Sequence, residues 1–331
     1  MPIMELILTP IAAVWCALVC LYADPATGWA RPPAIRRVIA ALCIAAPLAA
    51  WLILSLNAAA IAAAVIFAAA QAWFISRRAR DVGEWESEYA RMPRVTFAGS
   101  KAHVKHVRNF RYPTVETPIP AYYDATYDID TLTGVDLVCS YWMGKAIAHV
   151  LVSFAFADGR HLAISIETRR RRGQVYSVIA GFFHHYQLMF VIADERDLIG
   201  VRTDPRGEEA YIYPLRTTVS ERKRLFRGYL AKAEALAEQP EFYDTVFNNC
   251  TTASVRLIDA GLPRGQRLGR DWRLLFSGYA DEFAYEIGRL KTRLPFAELK
   301  KRSLIVRAPG STIGDDYSTE IRENLPPPDD D

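Results

Sequence analysis

The sequence predicts an α+β protein with N-terminal transmembrane helices followed by a soluble domain whose antiparallel sheet packs on helices. Three observations predict this class. Apolar residues run almost unbroken up to Arg80, charges of both signs are mixed after Asp81, and strand-like runs there alternate with helical patterns. The 331 residues, 51% of them apolar, are thus an average over two unlike parts. That apolar share excludes a disordered chain. Forty basic residues against 37 acidic ones leave a net charge of +3, which excludes a polybasic nucleic-acid binder. Five cysteines are too few for a disulfide scaffold.

The membrane part comes first. Leu6 to Ala23 carries no charged side chain, and a second uncharged run extends from Val38 to Ser76 between arginine pairs. About 20 apolar residues cross a bilayer as a helix. The first run is one span, and the second is long enough for two, with Asn57 after Ser55 as the turn. A single long helix kinked at Pro47 would overshoot the hydrocarbon. The small residues from Ala58 to Ala70 suit close helix packing. A cleaved signal peptide usually has a positive start, whereas the early charge here is Glu5, so a retained anchor is expected. The chain therefore divides into an anchor of about three helices over 1–80, a catalytic domain over 81–308 and a disordered acidic tail over 309–331.

Asp81 to Met92 reads as a connecting helix. A mixed region with Pro113, Pro118 and Pro120 follows. Ile147 to Phe156 is a strand, Asp158-Gly159 a tight turn, and His161 to Thr168 the return strand. Leu188–Ala193 and Ala210–Tyr213 are further strands. A helix starts at Ser220 and stops before Pro240. Phe242 to Ala260 contains a second helix with an Asn or Thr cap near Asn249 and a stop at Gly261. A third helical pattern covers Tyr279 to Leu290.

The chemistry centres on Cys250. A thiol at a helix N-terminus faces backbone N–H groups and the positive end of the helix dipole, which favour thiolate. Those groups can also hold an oxyanion, with Asn249 and Thr251 beside the sulfur as further contacts. The competing reading is a small buried residue in a helix. A thiol nucleophile needs a base. Among six histidines, His149 stands out because it interrupts an apolar strand, although a core histidine bonded to a carbonyl explains it too. Glu167 is a candidate to orient it. A three-residue hairpin turn would put Glu167 opposite Leu151 on the His149 face, and a two-residue turn would point it away. Ser165 and the Asp194-Glu195-Arg196-Asp197 segment are fallbacks, the latter reading more readily as structural ion pairs. His184-His185 read as an aromatic packing pair. His103 and His106 have metal-ligand spacing only on a helix, and no partner cluster accompanies them, so no metal and no cofactor is expected. A histidine on a strand before a cysteine at a helix start reverses the papain order and matches circularly permuted papain-like enzymes.

The stretches YYDATYDID, DLVCSYWMG, AIAHVLVSFAFADGRHLAISIETRR, GFFHHYQLMFVIADERDLI, VRT and FYDTVFNNCTT resemble the Lnb N-terminal periplasmic domain family, over roughly Phe110 to Ser303. The resemblance implies a circularly permuted papain-like (NlpC-like) fold, with Cys250 as nucleophile and His149 as base. It also implies a thiol acyltransferase that moves an acyl chain from phospholipid, through a thioester, to the N-terminus of a bacterial lipoprotein at the inner membrane. A thiol hydrolase of a lipid ester, amide or cell-wall peptide is the alternative on the same scaffold, and a non-enzymatic membrane protein with a structural Cys250 is the third reading. The arginines flanking the spans favour a cytoplasmic domain, whereas the resemblance favours a periplasmic one and is preferred. In an oxidising compartment Cys139 and Cys250 are expected to lie apart, since pairing would disable the thiol.

Overall fold

A computed structural model describes residues 2–24, 32–260, 262, 267–268, 271–274, 276–307 and 312–326. The chain forms two compact units, one of residues 1–84, 170–187 and 239–245, the other of 85–169, 188–238 and 246–331.

In the first unit, helices α1 (Pro2–Tyr22), α2 (Pro33–Ile53) and α3 (Leu56–Ser76) each pack on the other two. All three are long and apolar enough to cross a membrane. Small residues make their contacts: Cys16, Ala17, Ala40 and Cys43 are buried together, and Ala59 and Ala63 are buried on α3. With lipid outside, close backbone approach replaces the hydrophobic effect as the source of packing energy. Ser55 caps α3 through its Oγ, which accepts the Ala58 N–H at 3.1 Å. The turn therefore falls at Leu54–Ser55, and Asn57, expected there, lies in the first turn of α3. Helix α2 starts at Pro33, a residue preorganised for a first turn, so Arg36 and Arg37 are helical. Arg36 donates to the carbonyls of Cys20 (2.9 Å), Leu21 (2.5 Å) and Ala23 (2.7 Å), which end α1 without helical partners. Arg77 is buried and donates to the Asp24 carbonyl at 2.9 Å. The short α4 (Val178–Gly181) belongs to this unit. His184 stacks between Phe74 and Phe242, with centroids 4.2 and 4.6 Å away, and His185 Nδ1 bonds the Tyr22 carbonyl at 2.5 Å.

The second unit is built on β1 (Arg94–Ala98), β2 (Lys101–Arg108), β3 (Tyr122–Asp128), β4 (Leu132–Met143), β5 (Ile147–Phe156), β6 (His161–Arg169), β7 (Gln187–Ala193) and β8 (Glu209–Pro214). The order is β1-β2-β7-β6-β5-β4-β8, with β3 also on β2. β2 and β7 run parallel, so the sheet is mixed rather than antiparallel as expected. These two strands are far apart in sequence, and only a long crossover permits that direction. β4 and β5 are covered on both faces, which explains why Ile147–Phe156 is almost continuously apolar.

On one face Val138, Leu151, Ala163 and Met189 pack with residues from α5 (Glu195–Leu198), the segment leading into α6 (Gly200–Thr203), and α11 (Tyr317–Glu320). On the other face α7 (Val219–Glu238) sets Phe226 against Phe154, with centroids 4.9 Å apart, and α8 (Cys250–Ala260) packs on β5 and β6. There Leu137, Cys139 and Val150 also meet Ala280 of α9 (Ala280–Glu286) and Leu299 of α10 (Phe296–Ser303).

Two expectations fail. The connecting helix over Asp81–Met92 is a single 3-10 turn at Ser87–Tyr89; nearby, the Trp85 ring sits 3.9 Å from the Arg169 guanidinium. The described part of the acidic tail is packed, not disordered: Tyr317 and Ile321 are buried, and Arg322 Nη2 pairs with Asp136 and Glu195, each at 2.6 Å. Two aromatic and aliphatic anchors and one arginine overcome the tail's acidic composition. The helix stop at Gly261 and the last residues, 327–331, lie outside the described residues.

Candidate active site

Helix α8 starts at Cys250 because Asn249 caps it. Asn249 Oδ1 accepts the N–H groups of Thr251 (2.9 Å) and Thr252 (2.8 Å), and Thr252 Oγ1 accepts the Asn249 N–H at 3.1 Å. This reciprocal arrangement satisfies three donors that a helix start leaves open. Arg256 reaches back to the Phe247 carbonyl and to Asn248 Oδ1, fixing the approach to the helix. The cap changes one expectation, since two of the N–H groups foreseen for an oxyanion already serve Asn249. Thr251 is buried, with its Oγ1 3.8 Å from Cys250 Sγ.

His149 reaches the same place from β5. The β5–β6 register pairs Leu151 with Ser165 and Ala155 with His161. This corresponds to a three-residue turn over 157–159, the case that puts Glu167 on the His149 face. Ser165, not Glu167, lies opposite Leu151; extending the register two residues brings Glu167 level with His149. His149 Nε2 lies 2.6 Å from Ser165 Oγ and 3.2 Å from Glu167 Oε1, and Ser165 Oγ donates to Glu167 Oε1 at 2.7 Å. These contacts leave the other ring nitrogen, Nδ1, unengaged, and Cys250 is near enough for its thiol and the imidazole to shift each other's pKa. The Val150 backbone N–H faces the same sulfur and also lowers its pKa.

The charges follow from these contacts. Burial alone would lower the His149 pKa, but the Glu167 carboxylate outweighs it and raises the value to about 9. Burial alone would raise the Cys250 pKa, but the hydrogen bond and charge of His149 lower it. Burial acts against ionisation of Glu167 as well, yet His149 and Arg202 hold its carboxyl well below the usual carboxylate range. All three shifts favour a thiolate–imidazolium pair beside a carboxylate.

Arg202 is the member that sequence reading missed. It is buried on α6, donates through Nη2 to Glu167 Oε1 at 2.9 Å, and is held by the Leu198 carbonyl at 2.5 Å from Nη1. Nothing in its local pattern marks it, because its partner is 35 residues away on another element. The Asp194–Asp197 segment is structural. Asp197 takes both Arg108 (2.7 and 2.9 Å) and the Phe110 N–H (2.7 Å), while Glu195 holds Arg322.

The remaining residues stay apart. His103 and His106 lie on β2, a strand, and bond Thr126 Oγ1 (2.8 Å) and the Met92 carbonyl (2.9 Å) through Nδ1. Among the described residues, no group of three His, Cys, Asp or Glu side chains is placed to hold a metal. All five cysteines are free. Cys139 is fully buried on β4, and burial raises its pKa well above the ordinary value. Its cross-strand partner on β5 is Val150.

No curated protein and no solved structure matches the chain. Residues 119–278, a little under half of the chain, contain His149, Ser165, Glu167, Arg202, Asn249 and Cys250; this region matches the family model described as the Lnb N-terminal periplasmic domain.

Proposed function

We propose that the protein is a membrane-anchored thiol acyltransferase that carries an acyl chain from phospholipid on Cys250 to the α-amine of a bacterial lipoprotein. The observation that carries this reading is the His149–Ser165–Glu167–Arg202 hydrogen-bonded series beside Cys250, whose thiol pKa His149 lowers. The match of residues 119–278 to that family supports a role in lipoprotein N-acylation in the broad sense.

The reaction would have two halves. The Cys250 thiolate attacks an ester carbonyl of the phospholipid, while His149 holds the proton taken from the thiol. The ester C–O bond breaks, the imidazolium proton passes to the leaving alkoxide, and a lysolipid departs from the thioester. In the second half the neutral amine attacks the thioester. Its proton passes to His149, the C–S bond breaks, and the amide leaves with the thiolate–imidazolium pair restored. The Cys250 backbone N–H and the Asn249 side-chain amide would donate to the oxyanion of each tetrahedral intermediate. Glu167 and Ser165 fix the ring, and Arg202 fixes Glu167.

The three spans and the periplasmic family place the protein in the inner membrane as a multi-pass protein with its catalytic region in the periplasm. Arg36 and Arg77, which argued for the opposite orientation, serve the carbonyls at the end of α1 and at Asp24. Their number is therefore a poor guide to topology.

The second reading is a thiol hydrolase, in which water replaces the amine. Its separation from the first is direct. The full-length protein in nanodiscs is given phospholipid and a synthetic lipopeptide with a free N-terminus, and products are resolved by mass spectrometry. N-acylated lipopeptide supports the transferase. Free fatty acid alone, at the same rate with or without lipopeptide, means hydrolase.

A further inference from the structure

A cavity of about 430 Å³ lies in the second unit among α7, α8, α9 and the sheet. Most of its wall surface is apolar and includes Val255 and Ile258 of α8, although Arg216, Glu221, Arg224, Arg227 and Arg289 also contribute to the lining. Its volume is within the range of small-molecule sites, roughly 300–1,000 Å³. Two further wall residues tie it to the nucleophile. Thr251 follows Cys250 directly, with its Oγ1 3.8 Å from the sulfur, and Val150 is the strand neighbour of His149. The space therefore begins at the sulfur's own neighbours.

Gly228 gives an independent sign that the space is kept open. It stands inside α7, where glycine costs about 1 kcal/mol relative to alanine. It has no positive φ to require it, and it lines the cavity. A Cβ placed there would meet Leu257 at 3.8 Å, an ordinary contact, so close packing of α7 on α8 does not require glycine either. What the missing side chain provides is room.

We infer that this cavity binds a linear fatty acyl chain and presents its carbonyl end to Cys250, an inference that rests on the thiol acyltransferase reading above. Apolar walls suit methylenes and offer little to a peptide, whose amides would be left without partners.

Two measurements on the full-length protein in detergent micelles test it. The first is acylation of Cys250 by p-nitrophenyl esters from butyrate to palmitate. The acylation kcat/KM should rise by up to about fourfold for each methylene buried, until the cavity is full. Gly228→Leu, and Val255→Phe from the facing helix, should cut the palmitate-to-butyrate ratio at least about tenfold, with thermal melting checking that each variant folds. The second is photolabelling of the Cys250→Ala protein with a diazirine palmitate. The label should fall on α8, be displaced by palmitate, and be lost in Gly228→Leu. Acylation that ignores chain length, together with a label outside α7–α9, overturns the cavity while Cys250 remains the nucleophile. A label on α8 without acylation of the wild type keeps the acyl site and removes the nucleophile. The two failures are thus distinguishable.

Discussion

Replacing Glu167 by glutamine tests the electrostatic core of the site. The side chain keeps its size and can still bond Ser165 and Arg202, but the charge 3.2 Å from His149 Nε2 is gone. Against burial, that charge is the largest of the effects that raise the His149 pKa from 6.5 to about 9. The difference of 2.5 units is worth about 3 kcal/mol at 1.36 kcal/mol per unit. The His149 side chain is only 16% exposed, so solvent screens little of it. In the wild type the imidazolium persists up to about pH 9 and is lost above it, so the high-pH limb of acylation should lie there. In Glu167→Gln the limb should fall to about 6.5, since burial and the Arg202 cation still lower the pKa and only the Cys250 thiol is left to raise it. At about pH 8 the protonated fraction drops from roughly nine-tenths to three-hundredths, a loss of about thirtyfold in rate, whereas at about pH 6 the loss is less than about twofold. The assay is the pH profile of single-turnover acylation by an activated ester. A variant profile superimposed on the wild type, or an equal loss at both pH values, would refute the reasoning.

Four other outcomes follow from the contacts described above. Asn249→Ala removes the acceptor for two helix N–H groups and should lower stability by about 1–2 kcal/mol, read as a drop in Tm. Asn249→Asp should keep that stability but raise the Cys250 pKa, moving the low-pH limb of acylation upward. Arg322→Met strips two buried carboxylates, Asp136 and Glu195, of their partner; it should cost about 3–5 kcal/mol by chemical denaturation, whereas a disordered tail would cost nothing. Iodoacetamide at neutral pH should modify Cys250 and spare Cys139, as read by peptide mapping, because one thiol pKa is lowered and the other raised by burial.

The parts of the fold legible in the sequence were those written in local pattern. The spans, the β5–β6 hairpin, α7 and the start of α8 each follow from hydrophobic period, turn residues or caps. His149 was found because imidazole has no packing reason to interrupt an apolar strand, and Cys250 because it opens a helix. Long-range features were hidden. The parallel pairing of β2 with β7 and the Arg202–Glu167 contact depend on elements far apart in sequence. The tail misled because its composition is polar, while its order rests on Tyr317, Ile321 and Arg322. Glu167 sat between these cases, since its face depended on one residue in the hairpin turn, which the register resolves.

The central claim is that Cys250 carries the acyl group. Intact-protein and peptide mass spectrometry after exposure of the full-length protein to phospholipid, with no amine acceptor present, tests it most directly. The account predicts an acyl adduct on Cys250 that hydroxylamine removes, that is absent in a folded Cys250→Ala protein, and that disappears when lipopeptide is added. A wild-type protein that turns over phospholipid with no adduct on Cys250, or a Cys250→Ala protein that retains activity, would contradict it.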